Sequence, residues 1–291
     1  MIEEKITIVI PVIARRAPIN AVEACLRSLV YNSNLQNEII IVKDRFETYA
    51  PESRELKNWL DSKSLWFNKH NIKTVDCQRT ESLKHEELGA YIAGNYGAEI
   101  AENDWVILYS DCDFYYHTNW DKNLLNTVES FLRADDDATT KYSFTPVMVR
   151  LVSTVEFYIE MERGGIVPPE KQNAYDITRL NGCLYFNRAR GEISESEMLS
   201  FGDRVIIPHQ YTIELCGSRL ITNYWPNILH KDLLNKIGGL PEDPTPNISC
   251  DLMFDTKLHK HGILKVTPLD SLFFHTYKTP TIFDVTGDRN D

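Results

Sequence analysis

The sequence predicts an α/β fold, with a doubly wound, mainly parallel central sheet flanked by helices and an elaborated C-terminal region. Three observations carry that prediction. Continuous, β-branched apolar runs suited to strands buried on both faces recur through the first half of the chain. Helical patterns separate them, and alternation of this kind implies parallel pairing through crossover helices. The alternation lapses after residue 150 and sharpens again from Leu233.

Residues 6–10, ITIVI, are the first predicted strand, with Pro11 as its expected end because proline donates no ladder hydrogen bond. Asn20 is a suitable cap for a helix whose inward stripe is Ala21, Ala24, Cys25, Ser28 and Leu29. Residues 39–42 form a second buried strand that stops at Lys43 and Asp44; residues 51–60 read as a short polar helix and 72–75 as a third strand. The helix predicted over 86–101 has Gly89, Ala93, Gly97 and Ala101 at every fourth position, flanked by Ala90, Gly94 and Ala98. Each interior glycine costs about 1 kcal/mol relative to alanine. Three in one helix therefore imply close approach, by the sheet at Gly89 and Gly97. Asn95, polar among small residues, is the position expected to touch a ligand or the loop after the next strand. That strand is 105–109, and a helix over 119–132 follows, carrying Leu124, Leu125, Val128, Phe131 and Leu132.

Beyond residue 150 aromatic residues are scattered among Gly-Gly, Pro-Pro and acidic loops, with strands expected over 142–149 and 204–207. A short helix then ends at Gly238-Gly239, and another over 251–261 is stopped by Gly262. No internal repeat or low-complexity linker interrupts the 291 residues, so the expectation is one elaborated domain, 1–291.

Composition narrows the partners. The 42 acidic residues outnumber 31 basic ones for a net charge of -11, and no dense run of Lys and Arg appears, which argues against a nucleic-acid partner. The acidic N-terminus has no signal-peptide pattern, and no apolar run approaches the roughly 20 residues of a transmembrane helix. The expectation is a cytoplasmic protein with no transmembrane segment, peripheral membrane contact being left open. Six cysteines, at 25, 77, 112, 183, 216 and 250, lie far apart with no CxxC pair, a pattern of reduced thiols.

The chemistry concentrates in YSDCDF, residues 109–114. Asp111 and Asp113, two apart in an extended chain, point the same way and repel unless a cation lies between them, while Cys112 points into the core. They follow an apolar strand at its carboxyl end, where ligands collect in such sheets, and Asp44 and the loop with Arg15 and Arg16 lie at equivalent ends. An EF-hand starting at Asp111 would need an oxygen ligand at Tyr115, glycine at Tyr116 and glutamate at Lys122, and has none. A haloacid-dehalogenase-like phosphatase would place Asp-x-Asp on its first strand, followed by Thr or Val where Tyr115 stands; it is kept as a minor alternative. The remaining reading is a divalent-metal site for a nucleoside diphosphate.

Here the sequence resembles the inverting glycosyltransferases of family 2, which have the GT-A fold. The likeness runs in family order through ITIVIPVIARR, NEIIIVKD, LGAYIAGNYGAEIAENDWVILYSDCD, HKDLLNKIGGLPED and SCDLMFDTKLHKHG. It implies a metal-dependent, hexosyltransferase-type enzyme that moves a sugar from a nucleoside-diphosphate sugar, a UDP-sugar first, to an acceptor hydroxyl. Pro11, Val12, Ile13, Arg15 and Asp44 would cradle the nucleoside, and Asn95, Ser110, Asp111 and Cys112 would complete the donor site. Asp111, Asp113 and the late His275 would hold Mn²⁺ or Mg²⁺. Asp251 would be the general base, with Asp255 as its backup. Residues 1–133 would form the nucleotide-sugar half and 134–291 the acceptor half, whose acceptor is an unassigned glycan, lipid or protein. Tyr211, Tyr224 and Trp225 are candidates to stack on an acceptor sugar.

The sequence also departs from the family. Lys43 replaces the first acid of the usual Asp-Asp pair, Gly94 stands where Arg commonly precedes Asn95, and Cys250 replaces Glu. A non-catalytic sugar-nucleotide binder of the same fold is therefore the rival reading. A nucleotidyltransferase would need a glycine-rich basic loop, and PVIARRAPIN has no glycine.

Overall fold

A computed structural model describes residues 5–13, 17, 19–81, 86–110, 112, 114–116, 118–150, 199–201, 204–208, 213–215, 218–221, 227–242, 250–268 and 271–275. The chain opens with β1 (Ile6–Ile13), α1 (Ile19–Tyr31), β2 (Glu38–Asp44), α2 (Ala50–Ser62), α3 (Ser64–Lys69), β3 (Ile72–Cys77), a 3-10 turn (Gln78–Thr80), α4 (Glu86–Ile100) and β4 (Trp105–Ile107). Then come β5 (Phe114–Tyr116), α5 (Trp120–Ala134), α6 (Ala138–Lys141), β6 (Tyr142–Phe144), β7 (Val147–Arg150), β8 (Leu199–Phe201), β9 (Arg204–Pro208), β10 (Ile213–Leu215) and β11 (Ser218–Ile221). Last are β12 (Ile228–His230), α7 (Lys231–Ile237), α8 (Cys250–Lys260), β13 (Leu264–Pro268) and β14 (Leu272–His275).

Nine strands form the main sheet in the order β3-β2-β1-β4-β12-β6-β13-β9-β8. The pairings make β12 and β9 run against the other seven, so the sheet is mixed but mostly parallel. After β1 the chain adds β2 and β3 on one side, then returns through α4 to place β4 on the other. The carboxyl ends of β1 and β4 thus flank a topological switch point, where open α/β sheets leave a crevice for ligands. The smaller sheet, β10-β11-β7-β14-β5, begins directly after β4 through β5.

Two expectations fail for reasons that depend on neighbouring strands. β1 does not stop at Pro11 but continues to Ile13, opposite Asp44. The Val9 carbonyl accepts from the Ser110 amide at 2.8 Å, and Pro11, two residues on, faces that same edge beyond the last β1–β4 pair, Ile8 with Ile107. Its missing N–H leaves no ladder bond unmade. The strand expected over 142–149 is two strands in different sheets, broken at Pro146, with the Thr145 amide turned to the Val266 carbonyl at 2.9 Å.

The small-residue face of α4 is explained by packing. α4 lies on β1 and β2; at Gly97 a Cβ would press on Val9 and Val42, and at Gly94 it would come within 2.7 Å of the Leu108 carbonyl oxygen. Apolar side chains from both parts of the chain, among them Ile8, Leu108, Phe144, Leu229, Phe254 and Phe273, share one core. Among the described residues no helix is long and apolar enough to cross a membrane.

Candidate functional site

The switch point is built from the ends of β1 and β4 and the passage into β5. Pro11 and Val12 are buried and Ile13 is half-buried. The passage after β4 is fixed at both of its ends. Ser110 is fully buried; its amide is on Val9, and its hydroxyl lies 2.8 Å from the Tyr116 hydroxyl. The Tyr116 amide donates to Ser28 Oγ at 3.0 Å, and its carbonyl accepts from Asn32 Nδ2 at 2.6 Å. Tyr116 also packs on Trp120 and Phe273, with ring centroids 4.5 and 5.9 Å away. Cys112, within this passage, is buried and forms no disulfide. Asp111 and Asp113, on either side of it, lie outside the described residues, as does Arg15.

The C-terminal strand returns to this passage. β14 pairs antiparallel with β5, setting His275 opposite Phe114, Phe274 opposite Tyr115 and Phe273 opposite Tyr116. Phe114 follows Asp113 in the chain, so this register sets the backbone of the late histidine opposite the residue after Asp113, across more than 150 residues of sequence. Among the described residues no three His, Cys, Asp or Glu side chains gather as a metal site.

Asp44 ends β2 in an enclosed place. It is fully buried, and its two carboxylate oxygens accept from Nε and Nη2 of Arg45 at 3.0 and 2.9 Å. Arg45 holds a left-handed φ of 53°, uncommon for a long side chain, with its amide on Thr80 Oγ1 at 3.2 Å. Gly89 of α4 covers the pair so closely that a Cβ there would lie within 2.6 Å of Arg45 Nη2. Lys43 pairs with Asp76 on β3 at 2.8 Å.

Asn95 faces α7 and the turn after it. Its Oδ1 accepts from the Leu240 amide at 2.7 Å, and its Nδ2 donates to the Leu240 carbonyl at 3.0 Å and to Glu242 Oε1 at 2.7 Å. Its hydrogen-bonding capacity is therefore committed to the chain itself, although it lines a cleft of about 410 Å³ with Glu99, Leu108, Lys231 and Gly239. Asp251 is the second residue of α8, a helix anchored by buried Phe254 and Leu258. Lys257 of α8 donates to the carbonyls of Gly238 and Gly239 at 3.0 and 2.8 Å. Burial pushes the Lys257 ammonium below its ordinary range, with Glu242 opposing the shift.

Arg45, Glu242 and Lys257 were missed by sequence reasoning. For Arg45 a signal existed, a cation directly after a strand-end acid. For Lys257 and Glu242 there was none, because their partners are carbonyls and an amide supplied by tertiary contact. The acceptor-side candidates Tyr211, Tyr224 and Trp225 lie outside the described residues.

No family model matches the sequence, and no curated protein does. Among solved structures the chain is similar to one described as GalNAc-T7 with UDP, GalNAc and Mn²⁺, at a TM-score of 0.57 and 13% identity. The match covers 94% of this chain but only 44% of that one. At this identity the likeness shows the fold: a GT-A-type, mostly parallel sheet flanked by helices.

Proposed function

We propose that the protein is a metal-dependent inverting glycosyltransferase that moves a sugar from a nucleoside-diphosphate sugar, a UDP-sugar first, to an acceptor hydroxyl. The observation that carries this reading is the β14–β5 register, which sets His275 opposite Phe114, the residue after Asp113, at the switch point of a GT-A-type sheet. The similar GalNAc-T7 structure, which is one with UDP and Mn²⁺, adds support. Two carboxylates and an imidazole are donors suited to Mn²⁺ or Mg²⁺, so the residue types fit. Asp111, Asp113 and His275 would hold the ion, which when bound neutralises charge on the departing diphosphate.

The rest of the chemistry belongs to the chain. Asp251 takes the proton of the acceptor hydroxyl as that oxygen attacks the anomeric carbon from the face opposite the diphosphate. The bond from carbon to diphosphate oxygen breaks, and the nucleoside diphosphate leaves with the electron pair. General-base help of this kind is worth roughly 10²- to 10⁴-fold. Pro11, Val12, Ile13, Arg15 and Asp44 border the nucleoside, with Ser110, Asp111 and Cys112 closing the donor side. On this reading residues 1–133 serve the donor and 134–291 the acceptor.

The test is transfer from a panel of nucleotide sugars with Mn²⁺, using Asp113→Ala and Asp251→Ala alongside the native chain. Both variants are expected to lose transfer, about 10³-fold or more for Asp113 and 10²-fold or more for Asp251. Full transfer by both overturns the assignment, and retention of anomeric configuration in the product overturns inversion.

Lys43, which pairs with Asp76 where the resembled glycosyltransferases have an acid, favours a second reading, a binder of sugar nucleotides without turnover. Binding of UDP with Mn²⁺ is common to both readings. Donor hydrolysis or transfer belongs to the first alone.

A further inference from the structure

The two glycines after α7 are more than a helix stop. Gly238 and Gly239 adopt left-handed φ values of 72° and 65°, and the Gly239 amide reaches back to the Leu234 carbonyl at 3.0 Å. A Cβ on Gly239 would come within 2.7 Å of Asn95 Oδ1, so the turn requires glycine for its backbone and for its neighbour alike. The left-handed path leaves the carbonyls of both glycines directed to one place, where Lys257 Nζ donates to each. On the other side, Asn95 pairs with both main-chain groups of Leu240, as a strand residue pairs with its partner.

One turn is thereby bound by two helices that are distant in sequence. Asn95 belongs to α4, which lies on β1 and β2 and covers Asp44 through Gly89. Lys257 belongs to α8, six residues after Asp251. The turn 238–240 is the bridge between the helix over the strand ends and the helix carrying the assigned base. A lone cap for α7 would need neither connection, since the Gly239 amide already bonds the Leu234 carbonyl.

We propose that Lys257 and Asn95 are positioning residues that set, through the turn 238–240, where α8 holds Asp251 relative to the carboxyl ends of β1 and β4. The proposal rests on the reading of Asp251 as general base. A lysine suits the task because its ammonium has three donors on a flexible stem and can serve two adjacent carbonyls. Methionine has nearly the same length and no donor.

The experiment compares Lys257→Met, Lys257→Arg, Asn95→Leu and Asp251→Asn in the full chain, reading kcat, donor KM and the Kd for UDP with Mn²⁺. Displacement of a base lowers kcat, whereas loss of donor binding raises KM. Lys257→Met and Asn95→Leu are expected to lower kcat about 10-fold or more with KM and Kd within about twofold, and Lys257→Arg to recover most of the loss. If Lys257→Met does not fold, Lys257→Gln, which keeps a donor, is expected to give the same split at smaller amplitude. Native kcat in Lys257→Met beside an inactive Asp251→Asn overturns the positioning role alone. Full transfer by Asp251→Asn overturns the base assignment and removes what Lys257 was proposed to position.

Discussion

The two ends of β2 hold their buried carboxylates in different ways. At the amino end the partners come from many elements. Glu38 accepts from the Thr7 hydroxyl at 2.5 Å, the Glu102 amide at 2.8 Å and Lys73 at 2.7 Å. Buried Asp121 accepts from the amides of Asn34, Leu35 and Lys122 and from Asn37 Nδ2, at 2.8 to 3.0 Å, while Asn37 in turn holds the Ile6 amide at 3.1 Å. At the carboxyl end Asp44 meets the guanidinium of its own chain neighbour, whose backbone is left-handed. A network spread over β1, β2, α5 and the loops cannot be opened without moving all of them. A pair made by consecutive residues ties fewer elements together, here the turn at Thr80 and the cover of Gly89 among them. The amino end of β2 is thus tied across more elements than the Asp44–Arg45 pair, whose backbone holds the strain.

Asp121→Ala breaks the comparison most directly. It strands the side-chain amide of buried Asn37, the main-chain amides of Asn34 and Leu35 in the same loop, and that of Lys122 at a helix start, and is expected to cost about 3 kcal/mol in urea unfolding. Asp44→Ala is expected to cost less, about 2 kcal/mol, because it removes one partner of Arg45 and leaves the Tyr49 ring beside the guanidinium. The double variant Asp44→Ala with Arg45→Ala should recover at least half of that loss. If Asp44→Ala costs more than Asp121→Ala, and Arg45→Ala restores nothing, the carboxyl end is as fixed as the amino end and the contrast fails.

The same contrast marks what was legible in the sequence. The alternation of buried strands and helices is written in hydrophobic periodicity, so β1, β2, β3 and β4, the glycine face of α4 and the stop at Gly238-Gly239 were all readable. The paired acids at 111 and 113 stood out because like charges rarely end an apolar strand without a partner. Pro11 misled because a proline ends a strand only where a neighbour needs its N–H, and β4 is too short to need it. The strand over 142–149 misled because its two pieces are separated by Pro146 and claimed by different sheets. The reach of Lys257 to two carbonyls is a tertiary fact with no periodic trace, whereas the Asp44–Arg45 pair left only a local one, a cation directly after a strand-end acid.

A smaller effect follows from Glu38 and has a sign in pH. Burial alone would raise its carboxyl, but hydrogen bonds from Lys73, the Thr7 hydroxyl and the Glu102 amide, with the Lys73 charge, bring it below the ordinary value. A carboxylate with a depressed folded-state pKa contributes stability that is complete above its unfolded value, about 4.3, and is lost as pH falls through the folded one. Glu38→Gln is therefore expected to cost about 1 to 2 kcal/mol at pH 7, with the gap to the native chain closing as pH is lowered below 4. A gap that stays constant from pH 7 to pH 3 would mean that packing, not charge, holds this corner. Transfer by Glu38→Gln at pH 7 is expected at the native kcat, since the residue lies at the end of the sheet opposite the site.

The smallest effect is the sharpest control. Arg79, in the turn after β3, makes a two-pronged contact with Glu99 near the end of α4, both bonds at 2.7 Å, and lies 5.4 Å from the Tyr96 ring centre. The geometry is good, yet the two side chains are 50% and 52% exposed, where water and salt screen the charges and the cost of ordering two long chains offsets most of the gain. Arg79→Ala is expected to lower stability by about 0.5 kcal/mol, and by less in 0.5 M NaCl. The contact joins β3 to α4 on the side of the sheet that α4 covers. If its removal costs more than about 1.5 kcal/mol, or remains costly in high salt, α4 is held to the sheet by more than packing at Gly94 and Gly97. The carboxyl end would then have a second fixed tie, and opening of the Asp44–Arg45 pair would have to move α4 as a body instead of occurring by itself.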